Sequence, residues 1–129
     1  MATNILVVED NWIAAEVVRT VLNSRGYTVL LATTGRQAME LISDQKYDLI
    51  LLDLMLPDVD GAQLMQIFRR LPGCEKIPIV AFSAFVSRLE DLRSQGSGFD
   101  DYIAKPVEPE ELIRVIDANL ARTLVSPSV

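Results

Sequence analysis

The chain has 129 residues, half of them hydrophobic and 23% charged, with a net charge of −6. That length supplies one domain with a proper core, and the acidic balance disfavours a general nucleic-acid or anionic-membrane surface. With one cysteine, Cys74, and no histidine, an internal disulfide, an imidazole-assisted nucleophile and a histidine metal site are all excluded.

The chain opens on "MATNILVVED", which lacks the basic stretch and apolar core of a signal peptide. No apolar run approaches the roughly 20 residues of a membrane helix. A soluble, cytoplasmic protein is therefore expected, in keeping with the lone cysteine. "NILVV" 4–8 reads as the first strand. The first helix follows, with Asn11 as N-cap, the half-exposed Trp12 on its first turn, and Ala14, Val17, Val18, Val21 and Leu22 on one face. "TVLLA" 28–32 is the second strand, and Thr34 and Gln37 in "TGRQ" have capping-box spacing for the second helix.

"LILLD" 49–53 is the third strand, and its helix starts around Asp60 and Gly61 and ends near Pro72-Gly73. "PIVAFS" 78–83 is the fourth, followed by a helix from "SRLE" in which Ser87 and Glu90 again have capping-box spacing. "DYIA" 101–104 is the fifth. The last helix begins at "EPEEL", with Pro109 in its first turn and Leu112, Val115, Ile116 and Leu120 on its apolar face. Runs such as 4–8 and 49–52 are apolar at nearly every position, as in strands covered on both faces. Strict alternation of strands and helices predicts an α/β domain with a doubly wound parallel sheet over residues 1–122. Residues 123–129 read as a short C-terminal tail.

In such a sheet, function gathers at the carboxyl ends of the strands. Those ends carry Glu9-Asp10, Asp53, Ser83 and Lys105-Pro106, while the second strand ends in the chemically mute Ala32-Thr33-Thr34. Each part has a bland reading: Glu9-Asp10-Asn11 as polar helix-start residues, Asp53 as a structural acid paired with Lys105, Ser83 as a plain strand-end hydroxyl. Together, three acids, a hydroxyl and a lysine on one rim are hard to obtain by chance. Three close carboxylates repel, and a divalent cation in an all-oxygen site, Mg²⁺ or Mn²⁺, resolves the conflict. A nucleophilic Asp53 between that cation and Lys105, with Ser83 nearby, suits acceptance of a phosphoryl group.

The motifs "VVEDN" 7–11, "LILLDLMLPDVDG" 49–61, "PIVAFSA" 78–84 and "GFDDYIAKP" 98–106 closely resemble, in order and spacing, the receiver domain of two-component response regulators. The stand-alone or hybrid-kinase type is nearest, and the likeness covers residues 4–122. It implies a flavodoxin-like sheet of strand order 2-1-3-4-5 with five helices. Asp53 is then the acceptor of a phosphoryl group from a histidine of a sensor kinase or phosphotransfer protein. Asp10, Asp53 and the backbone carbonyl of Met55 are the implied Mg²⁺ ligands, with Glu9 acting through a metal-bound water. Lys105 binds Asp53 and then the phosphoryl oxygens, and Ser83 hydrogen-bonds the phosphoryl group. Ser83 and Tyr102 form the switch that alters the face of the fourth helix, fifth strand and fifth helix, where a partner or a second copy docks. Pro57 and Gly61 shape the loop after Asp53.

Two rivals are weaker. A phosphatase of the haloacid dehalogenase type carries a second Asp two residues after the nucleophile, where this chain has Met55. A phosphorylation-independent receiver-like module is expected to have lost an acid or the lysine, and this chain keeps them all. No output domain is expected after the fifth helix, and the downstream target is not legible. Met55 and Phe85, two residues beyond Asp53 and Ser83, flank the path of the hydrolytic water in receivers, and neither orients water by hydrogen bonding. Slow autodephosphorylation is expected, and Met55→Asn combined with Phe85→Glu should shorten the phosphoryl lifetime; an unchanged decay in phosphoprotein mass would reject this.

Overall fold

A computed structural model of the chain describes residues 2–124. The elements are β1 (Asn4–Val8), α1 (Trp12–Asn23), β2 (Thr28–Ala32), α2 (Gly35–Ile42), β3 (Leu49–Asp53), α3 (Gly61–Arg70), β4 (Ile79–Ser83), α4 (Val86–Gln95), β5 (Asp101–Ala104) and α5 (Pro109–Leu124). All strand pairs are parallel, in the order β2-β1-β3-β4-β5. The doubly wound sheet with five helices is thus as expected. Helix α5 runs two residues into the stretch read as a tail, and residues 125–129 of that stretch lie outside the described residues.

The sheet is covered on both faces, which is why its central strands are apolar throughout. All five residues of β3 and of β4 are buried, whereas the edge strands β2 and β5 are partly exposed. Strand side chains alternate between the two faces. Leu6, Val8, Ile50, Leu52, Ile79 and Ala81 pack with α2, α3 and α4, and Ile5, Val7, Leu49, Leu51, Val80 and Phe82 pack with α1 and α5. Among the described residues, no helix is long and apolar enough to cross a membrane.

The helix starts follow the sequence for α1, α2, α3 and α5 and depart from it for α4. Asn11 caps α1 by accepting the Ala14 N–H at 3.0 Å, and Thr34 caps α2 by accepting the Gln37 N–H at 3.0 Å. Gln37 reciprocates at the Thr33 N–H. The Ser87–Glu90 box is not formed. Helix α4 starts one residue before Ser87, with Phe85 as N-cap and no side-chain cap, because only Ala84 and Phe85 separate it from β4. The Phe85 N–H goes back to the Ser83 hydroxyl instead, at 3.0 Å. The buried face of α1 is also displaced: Ala15, Val18 and Leu22 are buried, whereas Val17 is 53% exposed. Helix α3 ends at Arg70, two residues short of Pro72.

The loop joining β3 to α3 folds back on its own strand. The Gly61 N–H donates to the Leu54 carbonyl at 2.9 Å, and Met55 and Asp60 form an isolated antiparallel bridge. A Cβ on Gly61 falls 2.3 Å from the Asp53 carbonyl oxygen and 2.6 Å from the Leu54 Cα. Both obstacles are backbone and cannot rotate away, so the helix-start reading of this glycine understates its role. Gly61→Ala should cost about 1–3 kcal/mol of stability, read as a lower urea midpoint at unchanged slope.

Candidate functional site

The carboxyl ends of β1, β3, β4 and β5 lie side by side, and parallel register fixes what meets there. Asp53 pairs with Phe82, and Ser83, one residue on, pairs with Ala104. Glu9 and Asp10 follow β1 directly, and the Glu9 N–H bonds to the Ala32 carbonyl at 2.9 Å. Lys105 follows β5, with its N–H on the Ser83 carbonyl at 2.9 Å and a cis peptide bond to Pro106.

Glu9 and Asp53 are buried, at 0% and 3% exposure, while Asp10 is exposed. Carboxylate oxygens of the three lie within 4.8 Å of one another. The Lys105 ammonium stands 3.0 Å from Asp53 Oδ2, contacts Glu9 Oε1, and lies 4.7 Å from the centre of the Phe82 ring. Asp53 Oδ1 accepts the Met55 N–H at 2.9 Å, and Glu9 Oε2 accepts the Asn11 N–H at 3.1 Å. The expected pairing of Lys105 with Asp53 is present, and its sharing with Glu9 is an addition.

Burial of Glu9 and its hydrogen-bonded neighbour Asp53 push its carboxyl up to about 7, against the opposing pull of Lys105 and the Asn11 N–H. For Lys105, burial favours the neutral amine, but hydrogen bonds to Glu9 and Asp53 outweigh it and move the ammonium upward. One ammonium therefore does not balance the acids. An all-oxygen cluster with surplus negative charge fits a hard divalent cation such as Mg²⁺.

The remaining predicted residues differ in burial and in distance from the acids. Ser83 is fully buried. Met55 and Phe85 are 49% and 55% exposed, large apolar side chains two residues beyond Asp53 and Ser83. Trp12 is 68% exposed, more open than expected. Tyr102 lies away from the acids, along α4: its hydroxyl is 2.8 Å from the Ser97 hydroxyl and bonds to the Leu92 carbonyl at 3.3 Å, with Arg93 stacked 4.8 Å from its ring centre.

Sequence reasoning missed the ties of the β3–α3 loop. Asp58 accepts the Gly35 and Arg36 N–H groups at 2.8 and 3.0 Å, fixing the loop to the start of α2. Asp60 caps α3 through the Ala62 N–H at 2.8 Å and also pairs with Arg88 of α4.

The family model of the response regulator receiver domain matches residues 5–117. This chain belongs to that family. The receiver domain is 35% identical over 128 residues to the DNA-binding response regulator MtrA of Mycobacterium tuberculosis (strain ATCC 25618 / H37Rv), covering 99% of this chain and 55% of that protein. The chain thus spans about half the length of the curated relatives it matches. It is similar to the receiver domain of the sensor histidine kinase PA1611 from Pseudomonas aeruginosa PAO1, whose active-site cleft coordinates a magnesium ion. That likeness has 34% identity and a TM-score of 0.83, over 94% of this chain and 99% of that one. A putative response regulator from Chloroflexus aurantiacus J-10-fl is 32% identical with a TM-score of 0.87, over 95% of this chain and all of that one.

The shared lysine gives the receiver domain an asymmetric response to mutation. Lys105→Met leaves Glu9 and Asp53 buried with no cation and should cost about 3 kcal/mol in metal-free buffer at pH 8. Asp53→Asn relieves the repulsion on Glu9 and should stay within about 1 kcal/mol of the parent. Urea unfolding of both variants in the presence of a chelator checks the order.

Proposed function

We propose that this receiver domain is a phosphorylation-activated switch whose phosphoacceptor is Asp53. The observation carrying this is the Lys105 ammonium 3.0 Å from Asp53 Oδ2, at a strand end where the Glu9 and Asp10 carboxylates also converge. Receiver domains take phosphoryl groups from histidine kinases, and this chain contains no histidine. The donor imidazole therefore lies outside these 129 residues, in a sensor kinase or a histidine phosphotransfer protein.

Asp10, Asp53 and the Met55 carbonyl are the residues that would hold Mg²⁺, or Mn²⁺ in its place, with Glu9 acting through a bound water. The ion would neutralise the acids and the incoming phosphoryl oxygens. Lys105 orients the Asp53 carboxylate, then neutralises the phosphoryl group, to which the Ser83 hydroxyl donates a hydrogen bond. Burial of Asp53 limits bulk water around the acyl phosphate.

The switch acts on α4, in which Leu89 alone of the described residues is buried. The start of α4 is tied to Ser83 through the Phe85 N–H, and its far end to Tyr102. A phosphoryl group that recruits Ser83 adds charge where two packings of α4 are close in energy, and the surface of α4, β5 and α5 changes for a protein partner or a second copy. The net charge of −6 favours a protein partner for this segment over direct contact with nucleic acid. The unit proposed to act is the receiver domain, whose last helix extends to Leu124.

Incubation with Mg²⁺ and acetyl phosphate should add one phosphoryl mass to the parent chain and none to Asp53→Asn, and excess chelator should abolish the gain. Beryllofluoride with Mg²⁺ should change the fluorescence of Trp12, beside Asn11 at the rim. No mass gain and no fluorescence change would instead support a phosphorylation-independent binding module.

A further inference from the structure

Two chain segments, the walls, continue directly from the strand ends at Asp53 and Ser83. One is the β3–α3 loop carrying Met55, and the other is the start of α4 carrying Phe85. A single ion pair joins them among the described residues. Arg88, in the first turn of α4, places Nη2 2.6 Å from Asp60 Oδ1 and 2.5 Å from Oδ2, and Nη1 3.9 Å from the Met55 sulfur.

Asp60 is itself immobilised. Its Oδ1 caps α3 through the Ala62 N–H, and its backbone pairs with Met55 in the antiparallel bridge. The guanidinium is thus fixed by a fixed carboxylate and rests against the side chain that forms one wall. The two side chains are 32% and 38% exposed, so the pair is only partly screened by salt. With Leu89 the lone buried side chain of α4, few apolar contacts otherwise hold the second wall to the first.

We propose that Arg88 is a positioning residue that, through Asp60, holds the walls carrying Met55 and Phe85 together and so prolongs the life of a phosphoryl group on Asp53. This rests on Asp53 being the phosphoacceptor. Loss of the group forms a bond from a water oxygen to phosphorus and breaks the bond between phosphorus and the Asp53 oxygen. The carboxylate is regenerated, and inorganic phosphate leaves with the protons of the water. Both segments leave the rim at neighbouring strand ends, and in this proposal a pair that keeps them together lowers the frequency with which water approaches the phosphoryl group. Both contacts to Asp60 come from one nitrogen of Arg88, so a lysine can supply the charge, while asparagine at position 60 retains the oxygen that caps α3.

The test follows decay of phosphoprotein mass after acetyl phosphate is removed, in the parent chain, Arg88→Gln, Arg88→Lys, Asp60→Asn and the Arg88→Gln/Asp60→Asn double variant. Arg88→Gln and Asp60→Asn should each shorten the lifetime about two- to fivefold, the range an exposed ion pair supports. The double variant should decay no faster than the faster single one, since both remove one interaction. Arg88→Lys should lie nearer the parent than Arg88→Gln does. Added salt should shorten the parent's lifetime and leave that of Arg88→Gln unchanged. Equal lifetimes in the parent and Arg88→Gln, additive single effects, or no rescue by lysine overturns the proposal. A parent chain that gains no phosphoryl mass overturns the Asp53 reading itself, a distinct result.

Discussion

The ammonium of Lys105 between the carboxylates of Glu9 and Asp53 is the contact on which the site depends. At 3.0 Å and an effective dielectric of about 20, a unit pair attracts by roughly 5 kcal/mol, comparable with the several kcal/mol needed to desolvate each ion. One cation can roughly offset one buried acid, but here it serves two, with Asp10 close by. The shortfall appears in Glu9, whose carboxyl is pushed up to about 7. A site left electrically incomplete by its own residues has affinity for a further cation.

That electrostatic arrangement relies on a rigid platform. Asp53 ends a strand whose five residues are all buried, so its carboxylate is placed by sheet register. Glu9 and Lys105 follow β1 and β5 directly, each bound to a neighbouring strand through its backbone N–H. The helices that face the site are unequally attached. Helix α3 buries Gly61, Leu64, Met65 and Phe68, whereas α4 buries Leu89. The rim therefore combines fixed charges with one helix held largely by polar ties at its ends, a distribution of local stability suited to a switch.

Much of this was legible in the sequence because it is encoded locally. Strands covered on both faces must be apolar throughout, so "NILVV" and "LILLD" announced a buried parallel sheet, and its topology sent Glu9, Asp10, Asp53, Ser83 and Lys105 to one rim. Local encoding also explains the errors. Ser87 and Glu90 have correct spacing for a box, but the two-residue link from β4 begins α4 before Ser87 can cap it. Val17 fits a helical apolar stripe, yet Ala15 is the residue that faces the sheet. Contacts between distant segments left no pattern to read: Asp58 on α2, Asp60 with Arg88, and Lys105 with Glu9 are joined by the fold alone.

Ser83 is the link between the rigid rim and the loosely held helix. Its hydroxyl has one proton to donate and lone pairs to accept with. In the structure it accepts the Phe85 N–H, and donation to a phosphoryl oxygen leaves that acceptor role intact. Recruitment of the hydroxyl therefore need not break the tie to α4. In the proposed switch it would displace the atom to which the start of α4 is bound, and Phe85 would follow or lose its partner. Side-chain capping of α4 is absent, so no second bond of that kind resists the movement, and the opposing force comes from Arg88 on Asp60. Burial fixes Asp53; in the proposed switch Ser83 would transmit the change, and the balance between Ser83 and Arg88 at the start of α4 would set how far that helix moves.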